Sequence, residues 1–206
     1  MRKSIIAILM TFCLSIMTYA QTPRDRATEL KEQAQSSLNQ KDYIKARYLF
    51  KKAYEAFATR ENYPQAIECG VQANALYVRE NFYKEGFELC RDMDQLIWAG
   101  EQNQKKVFYD LRFLVNKERL QMYTALKNPA QAKTQLNKLE ETANLAKNDS
   151  LTEVLLYTKA NYYYTFNQNA QGDACFRKLI NQYKEKKDYA KVNDCYKNLI
   201  GIAKSV

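Results

Sequence analysis

Apolar residues recur along this chain at steps of three and four, the spacing that keeps side chains on one face of an α-helix. Four small residues, Ala46, Gly86, Ala132 and Gly172, head equivalent stripes and lie 40, 46 and 40 residues apart. Four positions beyond them stand Phe50, Cys90, Leu136 and Phe176; seven beyond stand Ala53, Met93, Leu139 and Leu179. A second stripe precedes each marker, with Ala34, Asn74, Leu120 and Ala160 twelve residues before and Ser37, Tyr77, Tyr123 and Tyr163 nine before. Between the stripes fall "NQKD", "RENF", "LKNP" and "FNQN", whose Asn and Asp side chains bond nearby backbone groups and so favour turns. The pattern predicts helix pairs in units at about 27–60, 61–100, 104–147 and 150–184. A final partial unit, 187–206, is expected to supply one more first helix, because "KDYAKVNDCYKNLI" aligns with "ENYPQAIECGVQAN" through Tyr63/Tyr189 and Cys69/Cys195. Such a helix either caps the array or leads into a longer protein, and the apolar "CYKNLIGIA" favours the second.

One helix pair cannot cover its own apolar side, so neighbouring pairs must stack. A residue without bulk at the marker lets two helices approach closely, and an aromatic of the preceding helix is expected to fill the space beside it. Composition agrees with this picture. With 5 Gly and 3 Pro in 206 residues, the chain lacks the turn residues that hairpins and sheets need. The expectation is an all-α fold, an α-solenoid of antiparallel helix pairs.

The stretch "KDYIKARYLFKKAY" (Lys41 to Tyr54), with Ala, Phe and Ala at helical spacing behind "DY", resembles the second helix of the tetratricopeptide repeat. The likeness covers about residues 27–205. It departs from that family in its period, in Cys90 where a Phe is usual, and in Asn116 and Arg119 where bulky apolar residues are typical. The resemblance implies a right-handed superhelix whose concave side is lined by the first helix of each pair. In that register the partner-binding residues would be Lys31, Gln35 and Asn39 of the first unit, then Arg79 of the second. Lys117 and Gln121 follow from the third, Tyr157, Asn161 and Tyr164 from the fourth, and Lys197 from the last helix. This cationic, amide-rich set with two aromatics and no carboxylate suits a protein or peptide partner held by its main chain or its carboxyl terminus.

The first twenty residues change where such a scaffold would work. "MRKSIIAILMTFCLSIMTYAQ" has a basic start (Arg2, Lys3), an apolar run from Ile5 to Met17, and small residues at Thr18 and Ala20. That is the pattern of a signal peptide, 1–20, cleaved before Gln21. The run is too short to span a bilayer, so no stable membrane insertion is expected after cleavage. Residues 21–206 would then be one exported, periplasmic repeat domain. Without Arg2 and Lys3 there remain 30 basic against 23 acidic residues, or +7; in that compartment the excess is either a solvated helix face or speaks for acidic or polyanionic partners rather than nucleic acid. Signal peptide, long-period repeats and a trailing unit also look like the periplasmic input region of Bacteroidetes sensor proteins, an alternative reading.

Catalytic chemistry finds little to work with. The chain contains no histidine, the commonest general base, and no glycine-rich phosphate loop. Asp92 and Asp94 point to different sides of a helix, and Glu140 and Glu141 are adjacent. Cys69, Cys90, Cys175 and Cys195 make no CxxC pair, so neither a metal site nor a cofactor is expected. Bridges Cys69–Cys90 or Cys175–Cys195 are conceivable in an oxidising compartment, but buried free thiols fit their apolar settings better. A small hydrolase is the weakest reading. Ser150 with Glu153 has the spacing of a helix capping box, and Asp149-Ser150-Leu151 resembles a short O-glycosylation motif.

Overall fold

The computed structural model describes residues 25–203; the leader expected at 1–20 lies outside them. Among the described residues there are nine helices and no strand: α1 Arg26–Asn39, α2 Tyr43–Thr59, α3 Tyr63–Arg79, α4 Tyr83–Gln104, α5 Tyr109–Ala125, α6 Pro129–Ala146, α7 Asp149–Thr165, α8 Asn169–Glu185 and α9 Tyr189–Ala203. Each packs on its neighbour in sequence, and the first helices also meet one another, α3 with α5 and α5 with α7. The molecule is an all-α solenoid. No helix among the described residues is long and apolar enough to cross a membrane.

The turns are built to one plan. Most of them run from helix through a single left-handed residue straight into the next N-cap, with positive φ at Lys41, Glu61, Asn81, Lys105, Lys127, Lys147, Asn167 and Lys187. In seven turns the following residue returns its N–H to the carbonyl five residues back, as Asp42 does to Ser37 at 2.9 Å and Asn128 to Tyr123 at 3.0 Å. This is the closure of a Schellman motif, which satisfies carbonyls orphaned at the helix end. The same residue then often caps the next helix: Asp42, Asn62, Asn128 and Asp188 accept from the backbone N–H three residues on. Helix stop and helix start thus share one side chain, which is why the turns are so short.

The longer central period has a local cause. Left-handed residues recur every 20 positions except around α4, where Asn81, Lys105 and Lys127 are 24 and 22 apart. Helix α4 runs for 22 residues against 17 in α2, α3 and α5, about one extra turn. Gly100, inside that extension, lets the rings of Phe108 and Tyr63 lie where a Cβ would be 2.8 and 3.0 Å away. Glu101, 6% exposed, clamps the connector by accepting the Phe108 N–H at 2.8 Å and Arg112 Nε at 2.7 Å. The bound Arg112 and the Phe108 N–H outweigh burial and hold its carboxyl below the ordinary range.

The core is a strip of three clusters, and the first helices bury two sides at once. In α5, Leu111, Val115 and Met122 join the cluster with α1–α4, while Phe113 and Leu120 join the one with α6 and α7. In α7, Leu155 and Tyr162 face back to that second cluster, whereas Leu156 and Ala160 face on to α8 and α9. A helix sandwiched this way is apolar on opposite flanks, leaving a narrow stripe on each side between them.

Two expectations need correction. The small markers are buried in close contacts, but an aromatic of the preceding helix fills the space at Gly172 and not at Gly86. A Cβ on Gly86 would meet Met122 Sδ at 2.8 Å and Asn74 Oδ1 at 3.0 Å; one on Gly172 would meet the Tyr164 ring at 2.8 Å. The tyrosines nine residues before Gly86 and Ala132 reach back to the preceding pair: Tyr77 lies under the Arg47 guanidinium at 4.9 Å, and Tyr123 packs on Phe87 at 4.7 Å. Nor do Ser150 and Glu153 form a capping box. Asn148 caps α7 by accepting from the Ser150 N–H at 3.0 Å, which leaves Glu153 to bind Lys186, Lys191 and Tyr183.

Candidate binding face

The five first helices α1, α3, α5, α7 and α9 present one face, and at each joint along it the sequence decides whether the face closes or opens. Between α1 and α3 it is closed by Lys31, which donates to Gln65 Oε1 at 2.8 Å and pairs with Glu68 at 2.7 Å. Between α3 and α5 a buried polar link does the same. Asn74 Nδ2 donates to Glu118 Oε2 at 3.0 Å, with Lys117 Nζ 3.5 Å from the other carboxyl oxygen. Burial pushes the Glu118 carboxyl above its ordinary value despite Lys117, and Asn74 Oδ1 is buried without a hydrogen-bond partner. Between α7 and α9 the joint closes through Tyr157, whose hydroxyl lies 3.1 Å from Cys195 Sγ.

At the α5–α7 joint the face parts into a cleft of about 270 Å³. Gln121 from α5 and Asn161 from α7 stand on its two walls, joined by Thr124, Thr158, Thr165 and Lys127. The three threonine hydroxyls donate to their own helix carbonyls: Thr124 to Leu120 at 2.7 Å, Thr158 to Val154 at 2.8 Å and Thr165 to Asn161 at 2.8 Å. Their lone pairs are therefore what they offer the cleft, as acceptors. The two amides offer both donors and acceptors and Lys127 a cation; no carboxylate lines the cleft. Leu120 and Tyr162 form its floor.

Of the residues placed on this face by the repeat register, Gln121 and Asn161 line one cleft from two different helices. Gln35 and Asn39 are exposed and bonded to each other at 3.1 Å. Arg79 stacks over the Tyr43 ring at 3.9 Å, at the turn edge. Lys31 and Lys117 are engaged in the joints just described. Lys197 is exposed on α9, paired with Asp194 at 3.2 Å. Tyr157 and Tyr164 turn inward instead of toward solvent. Tyr157 sets its ring edge-on to Phe176 at 5.6 Å, where burial raises its phenol well above the ordinary value. Tyr164 covers Gly172 and donates to Asp173 Oδ1 at 2.5 Å.

The threonines were missed, although the signal for one of them was there. Asn39 and Arg79 lie seven residues before their markers, and Thr165, not Tyr164, is seven before Gly172. The aromatic drew attention away from the register. Thr124, Thr158 and Lys127 carry no sequence signal of their own.

The four cysteines among the described residues, Cys69, Cys90, Cys175 and Cys195, are free and buried. Burial pushes Cys69 and Cys90 up to about 12 and raises Cys175 and Cys195 as well, so none is poised as a nucleophile. No protein-family model matches the chain, and no curated protein matches it.

Proposed function

We propose that the chain is a non-catalytic, exported scaffold of tetratricopeptide-like helix pairs that binds an extended segment of a partner protein along its first-helix face. One observation carries this reading: the cleft between α5 and α7, where Gln121 and Asn161 face each other among hydroxyl acceptors and Lys127. A peptide backbone presents alternating N–H donors and C=O acceptors. The threonine lone pairs suit the first and the amide N–H groups suit the second. Lys127 at the cleft edge favours an acidic side chain or a carboxyl terminus, in keeping with the absence of carboxylates in the lining. The basic, apolar and small-residue pattern of residues 1–20 supports export, and a chain without histidine supports recognition rather than turnover.

The test is a peptide-display selection on the immobilised chain, repeated with Gln121→Ala/Asn161→Ala. Selected peptides should bind the double variant at least tenfold more weakly while its circular dichroism stays unchanged. Peptides that bind both proteins equally would place recognition elsewhere.

A further inference from the structure

A second cleft, of about 420 Å³, lies between the second helices of successive pairs, α4 and α6, and is floored by α5. It exists because the third unit breaks the repeat pattern. Asn116 and Arg119 stand where the second unit has the buried Gly70 and Ala73, so α5 meets α4 and α6 here through polar side chains rather than through a core. At the mouth Trp98, 63% exposed, and Leu145, half exposed, project from α4 and α6.

The charges in this cleft are largely spoken for. Arg112 forks onto Glu101 through Nε and Nη2. Arg119 is held by Asp94 and donates to the Cys90 carbonyl at 3.0 Å. Asn116 Nδ2 donates to Thr142 Oγ1 at 3.4 Å. What faces the opening is one ammonium (Lys138), one carboxylate (Glu141), the Asn116 carbonyl, the Tyr109 phenol and the flat indole of Trp98. Lys138 and Glu141 enter no ion pair among the described residues.

This set discriminates between ligand classes. An anion would meet two arginines already neutralised, with Asp94 and Glu141 beside them. A cation would meet the unpaired ammonium of Lys138. A purely apolar segment would strand the polar lining, at the usual cost of desolvating unpaired groups. A pyranose avoids all three difficulties: its hydroxyls each donate and accept, and its C–H face is apolar and flat enough to lie on an indole. We infer that the α4–α6 cleft is a binding site for a neutral saccharide, with Trp98 as the stacking platform and Glu141, Asn116 and Lys138 as hydroxyl partners. Its residues are separate from those of the α5–α7 cleft, so the two assignments stand or fall independently.

Trp98 is the chain's one tryptophan, so intrinsic fluorescence reports on this cleft directly. The chain is titrated with cellohexaose, xylohexaose, maltohexaose, mannohexaose and chitohexaose, and with hexaglutamate as the anionic arm. At least one hexasaccharide should produce a saturable change in Trp98 emission. Calorimetry should then show at least tenfold weaker binding to Trp98→Ala and several-fold weaker binding to Glu141→Gln. Trp98→Phe should stay within about threefold, and Gln121→Ala/Asn161→Ala should bind as the parent does. Trp98 and Glu141 are exposed, so these variants are expected to fold, with circular dichroism as the check. The inference is overturned if no hexasaccharide alters the emission, if hexaglutamate alone does, or if Trp98→Ala binds sugar as tightly as the parent.

Discussion

Replacing Gly172 by Ala probes the closest helix contact in the fourth unit. The new Cβ would fall 2.8 Å from Cε2 and Cζ of Tyr164, against the roughly 3.5–4.0 Å of an optimal carbon contact. The ring cannot bend, and it is held at both ends, by its hydroxyl on Asp173 at 2.5 Å and by Phe176 at a centroid distance of 6.2 Å. Forcing it aside is an overpacking event worth about 1–3 kcal/mol, with a further ~1 kcal/mol if the bond to Asp173 is lost. Against this stands the helix propensity gained on replacing Gly, up to about 1 kcal/mol. The net expectation is a loss of roughly 1–3 kcal/mol, seen as a lower urea midpoint at unchanged slope. Removing the obstacle inverts the sign: in a Tyr164→Ala background, Gly172→Ala should stabilise by up to about 1 kcal/mol, and the double-mutant cycle isolates the clash. Gly70 and Gly86 supply the contrast, since their nearest neighbour is the sulfur of Met93 or Met122, and a methionine side chain can swing away. If Gly172→Ala stabilises equally with and without the Tyr164 ring, the close contact does not exist as described.

Four other outcomes follow from the structure. Lys127→Gly and Lys147→Gly, at exposed left-handed turn positions, should each gain about 1 kcal/mol and raise Tm by roughly 2–4 °C, whereas Ala at either site should gain nothing. Glu153, held down to about 2 chiefly by its bond to Lys186, stabilises the fold above the ordinary carboxylate range, and that contribution is lost as pH falls through about 2; Glu153→Gln should flatten the decline of Tm between about pH 5 and pH 2. Glu118 is displaced upward by burial, so it favours the fold while protonated and costs stability once pH rises past its folded value. Glu118→Gln keeps an acceptor for Asn74 and should stabilise at pH 8 but not at pH 4. Ellman's reagent should reach Cys69 and Cys90 only after denaturation, and reduction should leave the electrophoretic mobility unchanged.

The helix pairs were legible in the sequence because their determinants are local. Asp42, Asn62 and Asn128 mark helix starts by residue type, and the stripe of small residues marks the packed side of each second helix. What fills the space beside each small residue was not legible, because it depends on distance between helices rather than on spacing within one. Met122 reaches Gly86 from the next unit, and Tyr164 covers Gly172 while its neighbour Tyr163 packs on Tyr162. A run such as "NYYYTF" gives no hint which of its rings turns inward. The capping box failed for a related reason: Asn148 stood two residues nearer the turn than Ser150, and Glu153 had three partners, Tyr183 in α8, Lys186 just past its end and Lys191 in α9.

The two clefts have a common origin in α5. A first helix in this solenoid must bury one flank against the pair before it and the other against the pair after it, and α5 does so with Val115 and Met122 on one side and Phe113 and Leu120 on the other. Two narrow stripes remain. The stripe carrying Gln121 and Thr124 opens toward α7, and the stripe carrying Arg112, Asn116 and Arg119 opens between α4 and α6. The positions that make the third unit fit the repeat pattern poorly are therefore those that keep its flanks from closing. Replacing the polar base of the α4–α6 cleft by the bulky apolar residues of the repeat pattern, with Asn116→Leu and Arg119→Leu, should fill it with a core. It should also free Asp94 from its ion pair, raise thermal stability and quench the response of Trp98 to saccharide. A double variant that is stabilised yet still responds would mean that polarity at the base of this cleft has no part in its chemistry.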